Sequence, residues 1–314
     1  MLCCFVTQPI DDHAVAFLRE HGVAVRFASR ATMECVAAEI GDAQAVITRD
    51  LGLDGAAIRS ASALRIIASH GAGTNNIAIA EARARGIVVT RTPGANSRSV
   101  AELTIGLMLA AARRLCDADR AVRAGHWDFR YDSGGVELHG RTLGLVGFGA
   151  VARHVAWIAG HGFGMTVHAW SPSVPDCVFA DHDVRRAPDL PSLAGASDIL
   201  SLHRPSDPGQ PPIFDAGLAQ VLRPGTILVN TSRGSAIDSR TLLAALADGR
   251  VGAAGLDVLP QEPPSAHEPL LASDRVALSP HIGGATAEAL RRTAMTCARQ
   301  VLDVLSGRAP PDRL

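Results

Sequence analysis

The stretch Thr142-Leu143-Gly144-Leu145-Val146-Gly147-Phe148-Gly149-Ala150-Val151-Ala152 decides the fold. An uncharged β-type run enters a glycine-rich turn, and the helical run Arg153 to Ala159 follows it. Strand, turn and helix in that order form the first half of a βαβ unit. Residues Gly147 to Ala152 spell G-x-G-x-x-A, the dinucleotide fingerprint with alanine in the third place. Gly147 permits the tight turn, and Gly149 lets a pyrophosphate approach the backbone. The start of the helix then offers N–H groups without intrahelical partners to that anion. Phe148, Ala150 and Val151 complete the expected cofactor-binding turn.

Outward from this turn the same rhythm continues. Further strands are expected at Thr166 to Trp170, Ile199 to Leu202, Thr226 to Asn230 and Ala253 to Val258. An earlier series reads Cys3 to Val6, Ala45 to Thr48, Leu64 to Ala68 and Ile87 to Val89, with helical pieces between, such as His13 to His21 and Ile79 to Arg85. Strands alternating with helices argue for an α/β protein with parallel sheets. Between the two series, Ser99-Val100-Ala101-Glu102 has the capping-box pattern and opens the long apolar run Leu103 to Leu115. The spacing therefore predicts two doubly wound parallel-sheet domains. One spans 100–284; the other combines 1–99 with 285–314 and includes the last helix, Thr286 to Leu305.

Composition excludes several chemistries. The 314 residues are 47% hydrophobic and 19% charged, with a net charge of -1, which is no basic nucleic-acid footprint and no acidic disordered tail. All 30 basic residues are arginine. Without lysine there is no Schiff-base or PLP chemistry on an ε-amine and no P-loop lysine. The six cysteines have no paired metal-ligand spacing, so no metal is expected. The start of the chain has no basic segment leading an apolar one, no run approaches a membrane span, and a reduced cytoplasmic protein is expected. G-x-S-x-G and H-E-x-x-H are both missing, which removes those hydrolytic readings.

Three more pieces end predicted strands, where ligands bind in open α/β sheets. They are Asn230-Thr231-Ser232-Arg233-Gly234, Gly255 to Pro263 with Asp257 and Glu262, and Ser279-Pro280-His281-Ile282-Gly283-Gly284. An arginine supplies planar, permanently charged donors to an anion. A histidine exchanges a proton near neutral pH, and a carboxylate beside an imidazole favours its charged form. The acid that binds the ribose hydroxyls of NAD is expected some twenty residues beyond the glycines. That place holds Ser171, which leaves NAD and NADP both open, with Arg153 and Arg204 as candidate partners of a 2′-phosphate.

Together these motifs resemble the D-isomer-specific 2-hydroxyacid dehydrogenases, most clearly from Gly71 to Gly284. The segment His70 to Ile77 is similar to the family's glycine-rich substrate loop. Thr92 to Glu102 is similar to its interdomain hinge in the phosphoglycerate-dehydrogenase-like branch. The resemblance implies a Rossmann NAD(P)-binding domain inserted into a flavodoxin-like substrate domain, and oxidoreduction between a D-2-hydroxy acid and its 2-oxo acid. It gives Arg233, Glu262 and His281 the catalytic roles. It gives Gly71, Ala72 and Gly73, with Arg233 and His281, contacts to substrate; Arg49, where phosphoglycerate-type relatives can place a substrate-binding arginine, and His70, unusual beside this loop, are candidates for a second anionic group of the substrate or else ordinary surface residues. Cofactor contacts extend from the glycine turn to Ser171, His203, Pro205, Thr231, Ser232, Arg233, Asp257, His281, Gly283 and Gly284, with Asp257 facing the nicotinamide carboxamide. Formate dehydrogenases carry glutamine where this chain has Glu262, which speaks against formate. Nucleotide-sensing corepressors share the fold, so a sensor is the alternative. The aromatics Trp127, Phe129 and Tyr131 predict a homodimer through the segment from Leu115 to Tyr131.

Overall fold

The computed structural model describes residues 1–132, 134–204 and 209–314. In chain order, β1 (Leu2–Val6), α1 (Asp12–Glu20), β2 (Val23–Phe27), α2 (Met33–Glu39), β3 (Ala45–Thr48), α3 (Gly55–Ser60), β4 (Ile66–Ser69), α4 (Ile79–Ala84) and β5 (Val88–Thr90) alternate. Then come α5 (Ser97–Arg113), α6 (Leu115–Arg123), β6 (Thr142–Val146), α7 (Ala150–Phe163), β7 (Thr166–Trp170), α8 (Asp176–Ala180), β8 (Arg185–Arg186) and α9 (Leu190–Ala196). The chain finishes with β9 (Ile199–Leu202), α10 (Ala216–Val221), β10 (Thr226–Asn230), α11 (Ser239–Ala247), β11 (Val251–Leu256), β12 (Val276–Leu278) and α12 (Ala287–Leu305).

The strands form two sheets with every neighbouring pair parallel. One has the order β2-β1-β3-β4-β5 and the other β12-β11-β10-β9-β6-β7-β8. Strands β3, β4, β9 and β10 are buried along their whole length, as continuous apolar runs in covered parallel sheets should be. Side-chain caps start many of the helices: Asp11, Asp54, Asp189, Asp215, Asp238 and Thr286 each accept a first-turn N–H.

The first compact unit comprises Met1–Asn96 and Gly284–Leu314, and the second Ser97–Gly283. Each has apolar clusters on both faces of its sheet. The division falls a few residues from the one expected at Ser99, because α5 begins at Ser97. Ser99 lies inside its first turn, not at its cap. Ser97 and Ser99 are both buried, so the packed helix extends beyond its capping-box pattern. Glu102 pairs with Arg98 at 3.4 Å on the exposed face. Gly284 belongs with the first unit, where its backbone lies against Asn96. Among the described residues no helix is long and apolar enough to cross a membrane.

Candidate functional site

The glycine turn sits between β6 and α7. Gly147 has φ +95°, and a Cβ there would come within 2.9 Å of the Arg204 amide nitrogen, so both conformation and space require glycine. Gly149 is different: it precedes α7, has no side-chain cap, and a Cβ on it would meet nothing within 4 Å. Open space above Gly149 and uncapped N–H groups at the helix start are what a pyrophosphate requires. Phe148 turns its ring into the core, stacked 4.8 Å from Phe179, so only its backbone faces the turn. Ala152 is fully buried where α7 meets the sheet.

Ser171 follows β7 and is buried. His203 follows β9; its N–H donates to the Val146 carbonyl at 2.8 Å and its Nε2 lies 2.9 Å from the Ser201 hydroxyl. Burial pushes the His203 imidazole down to about 4. Pro205 lies outside the described residues.

Arg233, Glu262 and His281 follow β10, β11 and β12, neighbouring strands of one sheet. The turn carrying Arg233 is shaped by Asn230, which is fully buried. Its Oδ1 accepts from the Ser232 N–H and hydroxyl, and its Nδ2 donates to the Arg233 carbonyl at 2.8 Å. The Arg233 guanidinium donates to the Ser232 carbonyl at 2.7 Å. The Thr231 hydroxyl meets that of Thr104 on α5 at 2.8 Å. Gly234 braces this turn against the next loop: a Cβ there would lie 2.0 Å from the Leu259 carbonyl carbon and oxygen.

That next loop carries Glu262. Its Oε1 accepts the Leu259 N–H at 3.0 Å, and its Oε2 lies 2.6 Å from His281 Nδ1. A carboxylate is acceptor-only, so the pair places a proton on Nδ1 and leaves Nε2 available. His281 has φ +53°, a left-handed conformation that non-glycine residues seldom adopt. Its N–H donates to the Asp257 carbonyl at 2.8 Å.

The Asp257 side chain, 2% exposed, holds the loop from below. Its Oδ1 accepts from the Ser279 hydroxyl at 2.6 Å and the Ile282 N–H at 2.9 Å, and Oδ2 accepts the Gly283 N–H at 2.8 Å. Most of its accepting capacity is therefore spent on the His281 loop. Sequence reasoning missed this, and also missed Asn230 and Ser279 as supports. The only signal was their place inside the quoted strand-end motifs.

The other candidates lie in the first unit. Arg49 ends β3 and donates to the Pro9 carbonyl at 2.9 Å. His70 ends the neighbouring β4, with Nε2 3.3 Å from the Leu290 carbonyl of α12. Burial, then the Arg49 charge, holds the His70 imidazole below its usual range. The Ser69 hydroxyl donates to the Gly73 carbonyl at 2.8 Å, and the Gly71 carbonyl accepts the Thr92 N–H at 2.9 Å. Among the described residues, the N–H groups of Ala72 and Gly73 meet no acceptor.

Residues 105–283 match the family model described as D-isomer specific 2-hydroxyacid dehydrogenase, NAD binding domain. The chain belongs to the D-isomer-specific 2-hydroxyacid dehydrogenase family. The hydroxypyruvate reductase of Thermotoga maritima is 40% identical over 250 residues, covering 79% of this chain and 80% of that protein. The D-3-phosphoglycerate dehydrogenase of Methanocaldococcus jannaschii is 36% identical over 308 residues, 98% of this chain. The chain spans 58% of that relative's length and 57% of the corresponding Archaeoglobus fulgidus protein. The apo D-lactate dehydrogenase from Escherichia coli superposes with a TM-score of 0.86 at 27% identity, covering all of both chains. The coenzyme of the family's dinucleotide domain is NAD(P), and the turn at Gly147–Gly149 fits it. Among the described residues no cluster of His, Cys, Asp and Glu is built to hold a metal ion.

Proposed function

We propose that the chain is an NAD(P)-dependent dehydrogenase that interconverts a small D-2-hydroxy acid and its 2-oxo acid. The observation that carries this reading is the Glu262–His281 pair at 2.6 Å, on loops that follow β11 and β12, the two strands on one side of the strand that leads to Arg233. Bound nicotinamide supplies or accepts the hydride at the substrate's C2. The chain's own residues supply binding and the proton. Arg233 offers the planar, paired donors of a guanidinium to the carboxylate and the C2 oxygen. His281 gives a proton from Nε2 to the C2 oxygen as the ketone is reduced, and takes it back in the reverse direction. Glu262 fixes the ring and offsets the charge the imidazole carries before it donates.

The reading assigns the unpaired N–H groups of Ala72 and Gly73 to the substrate carboxylate, and Arg49 and His70 to its further polar groups. Asp257 acts mainly on the His281 loop, with one accepting direction left for the carboxamide. Relatives named as glyoxylate and hydroxypyruvate reductases make these two oxo acids the first to test. A homodimer through Leu115 to Tyr131 belongs to the same reading. Leu115, Val122, Trp127 and Tyr131 are all exposed there, with Tyr131 at 79%, while Phe129 lies under Arg114. Light scattering that reports a monomer at micromolar concentration overturns that part.

The test of function is reduced-nicotinamide absorbance on addition of glyoxylate, hydroxypyruvate or pyruvate. Turnover is expected, falling by about 100-fold or more in Arg233→Gln and His281→Asn. Tight coenzyme binding with no turnover across the oxo acids would overturn the enzymatic reading in favour of a nucleotide sensor.

A further inference from the structure

The dinucleotide turn has an arginine beside it that the catalytic reading does not use. Strands β9, β6 and β7 are neighbours, and their carboxyl ends meet at Gly147. The Gly147 N–H donates to the Trp170 carbonyl at 2.8 Å, while the space a Gly147 Cβ would need is filled by the backbone of His203 and Arg204. Across this junction the Arg204 guanidinium lies over the Trp170 indole, 5.5 Å from the ring centroid. Trp170 is half-buried against the core, so its ring is a fixed platform. The exposed arginine is held by cation–π attraction where a solvated side chain would otherwise wander.

The next residue after this platform is Ser171, in the place of the acid that binds an unphosphorylated ribose. The nearest carboxylate downstream, Asp176, is paired with Arg186. No acid pairs with Arg204 among the described residues. On the other side of the turn, Arg153 donates from Nε to the Phe148 carbonyl at 3.2 Å and lies over the Phe148 ring, which adds a second positive charge near the phosphates. The ribose end of the turn therefore carries cations and, in the place of the usual acid, a serine hydroxyl.

We propose that Arg204, held on Trp170 whose chain neighbour Ser171 is neutral, forms a 2′-phosphate subsite that selects NADP(H) over NAD(H). This rests on the reading that a dinucleotide binds at Gly147–Gly149. The selecting cation comes from the strand on the far side of the turn, not from the residues that follow β7. A planar guanidinium gives a phosphate two parallel N–H···O bonds, which a ribose hydroxyl cannot use in the same way. Serine removes the like-charge repulsion and can itself donate to a phosphate oxygen.

The test is calorimetric titration of the full chain with adenosine 2′,5′-bisphosphate and with 5′-AMP, ligands that differ only in the 2′-phosphate. Fluorescence titrations with NADPH and NADH accompany it. The bisphosphate is expected to bind at least about tenfold tighter than 5′-AMP, with a preference that shrinks as salt rises. Arg204→Met keeps an apolar stem on the indole and should collapse that preference by about tenfold, with 5′-AMP affinity changed less than about twofold. Ser171→Asp should weaken NADPH far more than NADH. Equal affinities in the wild type, or a preference that survives Arg204→Met, overturns the subsite. Failure of all four ligands to bind instead overturns the dinucleotide site on which it rests.

Discussion

Adding one methyl group at Gly234 tests whether the loops bearing Arg233 and Glu262 act as one unit. In Gly234→Ala the new Cβ would sit 2.0 Å from the Leu259 carbonyl carbon and oxygen and 2.5 Å from the Pro260 nitrogen, against an ordinary contact of at least 3.4 Å. These are backbone atoms, so no rotamer change relieves the clash. The two loops must separate by about 1.4 Å, or the backbone around residue 234 must turn away. Overpacking of this kind typically costs about 1–3 kcal/mol, and the rigid neighbours place Gly234 at the upper end. About 3 kcal/mol in a unit the size of Ser97–Gly283 lowers Tm by roughly 6–12 °C.

The kinetic effect is expected to be larger than partial unfolding would give. A 1 Å misplacement of a catalytic group costs about 100-fold, and here Arg233 moves relative to the Glu262–His281 pair. The assays are a thermal melt and kcat/KM with the best oxo acid, measured well below the melting transition. A kcat/KM within about twofold of wild type, with unchanged Tm, would show that the loops do not brace each other and would refute the geometry.

Gly160 of α7 is the matched contrast: a Cβ there meets nothing within 4 Å, so Gly160→Ala should stabilise by about 1 kcal/mol through helix propensity and raise Tm by about 2–4 °C. Glu262→Gln retains an oxygen for the Leu259 N–H but loses the carboxylate at His281; kcat should fall about 10- to 100-fold with coenzyme affinity unchanged, and a kcat within about twofold of wild type would remove the positioning role. His203 must charge more readily unfolded, at about 6.5, than folded, at about 4, so its contribution is complete above pH 6.5 and is lost as pH falls toward 4. Over that window it accounts for at most about 3 kcal/mol, and in His203→Asn the fall of Tm with acid should be visibly shallower than in wild type; parallel curves would contradict its neutral burial.

The parallel sheets were legible because their central strands are buried on both faces and carry little except Val, Ile, Leu and Ala. The strands given no range from sequence, β2, β8 and the three-residue β12, are all edges. Strand β2, Val-Ala-Val-Arg-Phe, grows more exposed along its length, and β8 is two exposed arginines at the far edge of the larger sheet. An edge strand needs only one hydrogen-bonded neighbour, so it can be as short as the two arginines of β8 or the three residues of β12, or turn charged and exposed as β2 does, and a short or broken run is a weak signal. The start of α5 was misplaced for a related reason. Ser99-x-x-Glu102 matches a capping box in sequence, but burial of Ser97 and Ser99 extends the helix past it.

At the candidate site, residue type announced what each side chain can do and strand order announced where it stands; neither announced the backbone that aims it. His281 adopts a left-handed conformation that costs about 1–2 kcal/mol in a residue with a Cβ. That cost is offset by the hydrogen bonds converging on Asp257: its carbonyl takes the His281 N–H, and its carboxylate takes Ser279, Ile282 and Gly283. A buried carboxylate surrounded by such donors has a large desolvation cost if they are removed, so loop and acid are held together or lost together. The strained histidine thus presents its Nδ1 to Glu262 only because Asp257, chosen from sequence as a ligand for the coenzyme, is committed first to the loop.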